Sequence, residues 1–551
     1  MKHFLILITI SVFFSCAEEK NKNIEKQIKT PFVWEGANVY FLLTDRFNNG
    51  DKTNDVNFER TSKTGKLRGF EGGDIKGITQ KIKEGYFTNL GINAIWMTPI
   101  VEQIHGGTDE GTGLSYGFHG YWASDWTTID PNFGTKEDLH ELVEEAHKRG
   151  IRILLDAVIN HTGPVTEKDS VWPEEWVRTE PQCDYKSFET TTACTLVENL
   201  PDIKTESNED VELPSQLVEK WKKEGRYEKE IAELNVFFDR TGYTKSPRFY
   251  IMKWLTDYIT EFGIDGYRVD TVKHTEAYVW QEFKKECDYA FTEYKKKNSK
   301  KVLDDNNFYL VGEVYNYNIS HTKTFDFGDK KVDYFDSAFN SLINFEIKWN
   351  AAQMPIEAMF KKYSNILNGD LKGYGVLNYL SSHDDDQPFD AARKKPFETA
   401  TKLLLCPGTS QVYYGDESAR SLVIEGTTGD ATLRSFMNWE AIKNDSSTQS
   451  ILEYWQKLGK FRANHPAVGA GIHQMITQEP YVFYRSYQKE DFKDIVVIGL
   501  GLPTGEKSLD VSKVFKDGDL LFDRYSNQKV KVSKGSVKLN SEHSVVLIEK
   551  K

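Results

Sequence analysis

The sequence predicts an α/β fold, a parallel (β/α)8 TIM barrel, on three observations. Four β-branched, apolar runs end in polar clusters: 151–156 leading into Asn160-His161, 264–270 ending at Asp270, 308–313 ending at Glu313, and 374–379 leading into Ser381-Ser382-His383-Asp384. Helical patterns separate these runs. Polar groups gathered at the C-terminal ends of successive strands are what a parallel barrel presents on its functional face.

The elements follow in chain order. Residues 1–16 read as an export signal: Lys2 and His3 precede an apolar run from Phe4 to Phe14, too short to span a bilayer, and Ser15-Cys16 closes it. Residues 17–32 are polar, rich in Lys and Asn, and read as a flexible tether. The first part of the barrel, 33–160, opens with Val39-Tyr40-Phe41-Leu42-Leu43 and continues with Ala94-Ile95-Trp96-Met97. Leu139, Leu142, Val143 and Ala146 then recur at helical spacing, with a capping pair Thr135/Asp138 before them and Gly150 as the stop. Strand 151–156 follows at once, completing one step of a right-handed parallel barrel. Between 161 and 239 the alternation breaks into a polar, irregular excursion of the length that usually carries function. Barrel alternation resumes over 240–461. Residues 462–551 change to short alternating runs such as Tyr481-Val482-Phe483-Tyr484, predicting an antiparallel β domain, a sandwich.

Composition narrows the partners. A net charge of −13 with scattered lysines argues against nucleic acid, which needs clustered Lys and Arg. The 13% aromatic content suits a core, and also suits stacking on sugar rings. Among five cysteines, Cys287 and Cys406 lie in apolar contexts and read as buried thiols. Cys183 and Cys194 lie close together in the polar excursion, and whether they pair is open. No Cys/His spacing suits zinc.

With these runs in order and at these spacings, the chain resembles the α-amylase family, glycoside hydrolase family 13, over nearly all of its length after the first thirty residues. The resemblance implies an inserted domain B after the third strand and a C-terminal domain C. It makes Asp270 the nucleophile, Glu313 the acid/base and Asp384 the third acid, which grips sugar hydroxyls. Retaining glycosidases need such a carboxyl pair. Arg268, two residues before Asp270 on the same strand, points to the same side and would hold the nucleophile ionised. Asp156 is expected to bond to Arg268. By the same resemblance His119, Tyr121, His161 and His383 contact the sugar at the cleaved bond, while Lys273 and His274 meet the sugars on the reducing side. Ser382 stands where Asn commonly precedes His-Asp, and Asp385-Asp386-Gln387 adds acidic residues behind it, so specificity near this loop is expected to differ.

The resemblance also implies calcium, a hard cation that collects oxygen ligands from distant segments. Asn160, Asp202 of Leu200-Pro201-Asp202, and His274 match a site between barrel and domain B. Asn49, Asp51, Asn54, Asp55, Gly72 and Asp74 resemble the N-terminal calcium loop of cyclodextrin glucanotransferases. Cys16 resembles the lipidated residue of a bacterial lipoprotein. The expected protein is thus an exported monomer on the outer membrane, at the cell surface or the periplasmic face.

The expected activity is retaining endo-hydrolysis of α-1,4-glucosidic bonds in starch and maltodextrins. A transglycosylase of the cyclodextrin glucanotransferase kind is the first alternative. Only about ninety residues following the barrel, and Val314 after Glu313 instead of an aromatic, speak against it. A neopullulanase-like maltodextrin hydrolase is the second, disfavoured by Leu200-Pro201-Asp202 in place of that group's Met-Pro-Lys.

Overall fold

A computed structural model describes residues 30–550. The signal, Cys16 and nearly all of the tether lie outside the described residues. Among those described, no helix is long and apolar enough to cross a membrane.

The unalternating apolar runs become strands buried on both faces, which is why they carry no polar stripe. Eight of them close a parallel barrel: β1 (Asn38–Leu42), β2 (Ala94–Met97), β3 (Arg152–Ala157), β4 (Gly266–Val269), β5 (Tyr309–Gly312), β6 (Ser341–Asn344), β7 (Gly375–Tyr379) and β8 (Thr409–Tyr413). Each strand pairs with its sequence neighbours, and β8 returns to β1 through Asn38↔Ser410 to Phe41↔Tyr413. Register aligns the functional ends: Arg268 on β4 sits opposite Asp156 on β3 and Val311 on β5. Helix α1 (Lys136–His147) begins at the anticipated capping box, with Thr135 and Asp138 exchanging hydrogen bonds.

After β3 the chain leaves the barrel. It forms a two-stranded ribbon, Val177–Arg178 with Asp202–Ile203, and a disulfide joins Cys183 to Cys194. Helices α2 (Ser215–Lys223) and α3 (Tyr227–Thr241) lead back to α4 (Pro247–Phe262), which enters β4. Cys287 and Cys406 are buried free thiols.

The C-terminal strands are β9 (Ile472–Thr477), β10 (Tyr481–Lys489), β11 (Phe492–Leu500), β12 (Gly505–Asp510), β13 (Leu520–Asp523), β14 (Gln528–Lys531), β15 (Ser536–Ser541) and β16 (Val546–Lys550). They form a six-stranded antiparallel sheet, ordered β9-β10-β11-β16-β13-β14, and an antiparallel pair β12-β15. Val497, Leu509, Leu539 and Ile548 share one apolar core across both. At the junction with the barrel, His465 reaches Asp494 through Nδ1 at 2.9 Å and Glu549 through Nε2 at 2.7 Å.

Candidate active site

Strand ends β3, β4 and β5 place three carboxyl groups around one buried arginine. Arg268, 1% exposed, donates from Nη1 to Asp156 Oδ1 at 3.0 Å and to Asp270 Oδ1 at 2.6 Å. Its Nη2 lies 2.9 Å from Glu313 Oε2. The backbone N–H of Thr271 also donates to Glu313 Oε2, at 3.1 Å. One guanidinium therefore spans Asp270 and Glu313 and sets their relative position. Burial would lower the charge on Arg268, but Asp156 and Glu313 hold it firmly protonated.

Two carboxyls on Arg268 are displaced upward, and burial lifts Asp156 to about 7. Burial lifts the Glu313 carboxyl to about 8, against Arg268, with Asp270 and Asp384 adding to the rise. Desolvation by the surrounding protein also raises Asp384, although its side chain stays 42% exposed to the cleft. A carboxyl that keeps its proton at neutral pH beside an arginine-bound carboxylate is an acid–base pair in waiting.

The residues expected around the cleaved sugar gather beside these carboxyls. Tyr121 donates its hydroxyl to Asp156 Oδ2 at 2.9 Å and stacks on His383, with ring centres 5.4 Å apart. His119 lies behind Tyr121 and accepts its backbone N–H at Nδ1, 3.1 Å away. His161 donates from Nε2 to the Tyr121 carbonyl oxygen at 3.1 Å. Burial pushes His119, His161 and His383 below the ordinary histidine range, so these rings are neutral at pH 7. Neutral imidazoles and a phenol ring suit sugar hydroxyls and an apolar sugar face better than an ion would.

On the other side of Glu313, Lys273 Nζ stands 5.1 Å from the Tyr315 ring centre and 5.8 Å from that of Tyr185. Both rings are about half exposed. His274 donates from Nδ1 to the Thr191 carbonyl oxygen at 2.8 Å, which ties it to the disulfide-closed loop. Three contributors escaped the sequence reading. Trp96 donates from Nε1 to Asp156 Oδ2 at 3.1 Å, and Arg434 donates from Nε to the His383 carbonyl oxygen at 3.0 Å. Tyr315 is the third. Trp96 sits at a strand end, which could have signalled it, and Tyr315 lies two residues past Glu313. Arg434 follows no strand-end motif and had no signal.

The residues anticipated for the interdomain cation do converge. Asn160 and Asp202 are each 1% exposed. The Asn160 amide nitrogen donates to Asp202 Oδ1 at 2.8 Å and to the His274 carbonyl oxygen at 3.1 Å. Asp202 Oδ2 is buried without a hydrogen-bond partner, although Arg178 Nε lies 2.8 Å away out of alignment. A side-chain amide, a carboxylate and a backbone carbonyl thus converge from three segments, and these are the hard-oxygen donor types calcium takes. Among the described residues no three His, Cys, Asp or Glu side chains cluster for a metal, and this donor set uses only one carboxylate.

The N-terminal loop fits in part. Asn49 Oδ1 and Asn54 Oδ1 are buried without partners, and Asn49 Nδ2 donates to Asp55 Oδ1 at 2.8 Å. Gly72, at φ +94°, backs onto them so closely that a Cβ would lie 2.6 Å from Asp55 Oδ1. Asp74 instead accepts the backbone N–H groups of Gly50, Asp51 and Gly77, capping the helix Ile75–Lys83. Asp51 is bound by Lys76 and Thr53. Asn49, Asn54, Asp55 and the Gly72 backbone thus suit a cation, while Asp51 and Asp74 are spent on other partners.

Comparison with known proteins adds to this geometry. Residues 41–462 match the family model described as alpha amylase, catalytic domain. The chain is 35% identical over 525 residues to the periplasmic alpha-amylase of Escherichia coli (strain K12), covering 84% of this chain and 72% of that protein. It is 28% identical over 478 residues to the cyclomaltodextrin glucanotransferase of Geobacillus stearothermophilus, covering 84% of this chain but only 59% of that longer protein. The crystal structure of the α-amylase from Geobacillus thermoleovorans, complexed with acarbose, superposes with a TM-score of 0.64 at 23% identity, covering 95% of this chain and 100% of that one. At that identity the likeness is one of fold.

Proposed function

The chain belongs to the α-amylase family and is a glycoside hydrolase, and we propose that it hydrolyses α-1,4-glucosidic bonds within starch and maltodextrins, with retention. The observation that carries this reading is Arg268 spanning Asp270 and Glu313, with burial holding the Glu313 carboxyl up at about 8. Asp270 attacks the anomeric carbon as Glu313 gives its proton to the departing glycosidic oxygen, leaving a glucosyl ester on Asp270. Glu313, now a carboxylate, takes a proton from water. That water opens the ester from the face the leaving sugar vacated, so two inversions restore the α configuration. Asp384 binds sugar hydroxyls, and Tyr121 stacks on the ring.

Calcium at Asn160, Asp202 and His274 would join the excursion after β3 to the ends of β3 and β4, and a second ion would suit Asn49, Asn54 and Asp55. These residues supply the oxygens; the ion, when bound, supplies charge and rigidity. We also read the chain as exported and held to a membrane by lipid on Cys16. The similarity to a periplasmic relative supports export.

A second reading rests on Tyr185 and Tyr315. Two half-exposed rings flanking Lys273 offer a stacking site to an incoming sugar, which favours transfer over hydrolysis. Time-resolved product analysis on amylose, pullulan and a cyclodextrin separates the readings. Linear maltooligosaccharides from amylose support hydrolysis; cyclic or lengthened products support transfer; rapid pullulan cleavage supports the neopullulanase-like alternative. No cleavage of any α-glucan would refute the assignment.

A further inference from the structure

A cavity of about 730 Å³ opens beside Asp384, over the end of β6, and extends the cleft past the residues placed in it so far. Its size falls within the range of built ligand pockets. Tyr315, Phe345, Trp349, Asp384, Asp386 and Gln387 line it. Trp349 is 47% exposed on the short helix Ile347–Gln353 that follows β6, a large ring left open to solvent.

The departures from the usual pattern after His383 build this wall. Asp385 is buried while Asp384, Asp386 and Gln387 are exposed. Asp385 is pinned from two sides: Lys348 Nζ bonds its carboxylate, and the Tyr379 hydroxyl donates to Oδ2 at 2.7 Å. It also accepts the Gln387 backbone N–H at Oδ1, 3.0 Å away. Lys348 precedes Trp349, and its Nζ lies 5.2 Å from the indole centre. The one buried ion pair therefore fixes both the outward carboxylate run and the ring facing it. Phe345 packs edge-on against Tyr315 at 5.2 Å and against Tyr379 at 5.7 Å, so the floor is equally fixed.

We propose that Trp349, Asp386 and Gln387 form a binding arm for the α-glucan chain on the leaving-group side of the cleaved bond. This rests on the functional reading above. A ring face receives the apolar side of a glucose unit, while carboxylate and amide accept and donate to its hydroxyls. Asp384 and Asp386 repel an anionic ligand and leave a neutral polyol as the fitting class. Continuity with Tyr315, whose ring flanks Lys273, puts the arm beyond the sugar that meets Lys273.

The test compares wild type, Trp349→Ala and Trp349→Phe on maltotriose and on reducing-end-labelled maltoheptaose. Maltotriose bound with one sugar past the cleaved bond ends at Lys273 and does not reach the arm. The preference for maltoheptaose, as a ratio of kcat/KM values, should fall about tenfold in the alanine variant, chiefly through KM, and recover in part with phenylalanine. Labelled products should become shorter, because fewer sugars are held on the leaving side. Asp386→Ala should move both readouts the same way, which keeps the test open if the alanine variant folds poorly. If both substrates lose equally and the labelled products keep their lengths, the arm does not exist. If the wild type cleaves neither substrate, the α-glucan reading itself fails.

Discussion

Arg268 Nη2 stands 2.9 Å from Glu313 Oε2, so a permanent cation touches the one carboxyl that must keep a proton at rest. Burial outweighs it and holds Glu313 at about 8, with Asp270 and Asp384 on the same side of the balance. The arginine thus restrains the rise while it orients Asp270.

Replacing Arg268 by Gln removes the restraint and the orientation together. The alkaline limb of kcat/KM, expected near pH 8 in the wild type, should move upward, because Arg268 lowers the Glu313 carboxyl. Turnover should fall by about 10²–10³, as when a preorganised charge is removed from an active site. A pH–rate profile reads both effects. A limb that moves downward would mean Glu313 is not the acid it reports.

Glu313→Gln should be more stable than the wild type at neutral and alkaline pH. The folded carboxyl, near 8, keeps its proton where the unfolded one, near 4.5, has lost it. Folding therefore takes up a proton between these values, and wild-type stability falls as pH rises through that window. Thermal melts at pH 4 and pH 8 should show the two proteins nearly equal at the lower pH and the variant higher at the upper.

His465 should lock the C-terminal sheets to the barrel in a pH-dependent way. Burial would lower it, but hydrogen bonds to Asp494 and Glu549 raise it to about 9, with Arg524 also on Glu549 at 2.6 Å. Its contribution is full below about 6.5, the unfolded value, and fades as pH rises through 9. His465→Gln should cost about 3 kcal/mol at pH 6, since two carboxylates lose their cation, and the gap should narrow by pH 10. Denaturant melts at the two pH values measure it.

Much of this was legible in the chain because barrel strands are buried on both faces and end where chemistry happens. The runs before Asp156, Asp270 and Glu313 marked strands and site together, and Thr135/Asp138 marked a helix start. The Cys183–Cys194 bridge was open, because proximity in sequence does not fix direction. Arg434 and Trp349 were not legible: each acts through a tertiary neighbour, the His383 carbonyl in one case and the Lys348–Asp385 pair in the other. Asp51 and Asp74 match a cation loop in sequence, but Lys76 and a helix N-terminus compete for them, and only packing shows which partner wins.

Calcium should stabilise the folded chain through Asn160, Asp202 and His274. Binding to the folded state alone adds about 2.7 kcal/mol at a hundredfold excess over Kd. Chelation should lower Tm and activity together, and calcium should restore both. Asp202→Ala should remove one equivalent of bound metal and move Tm toward the chelated value. A pure protein with no calcium, and a Tm indifferent to chelator, would return Asp202 to the role of a partner for Arg178.

Retention follows from the pairing of Asp270 with Glu313 on one guanidinium, and the configuration of the first product tests it most directly. Proton NMR during the first turnovers on maltoheptaose should show the new reducing ends appearing as the α-anomer, with β growing only by mutarotation. New ends appearing first as β would contradict a nucleophilic Asp270 and the whole assignment of roles around Arg268.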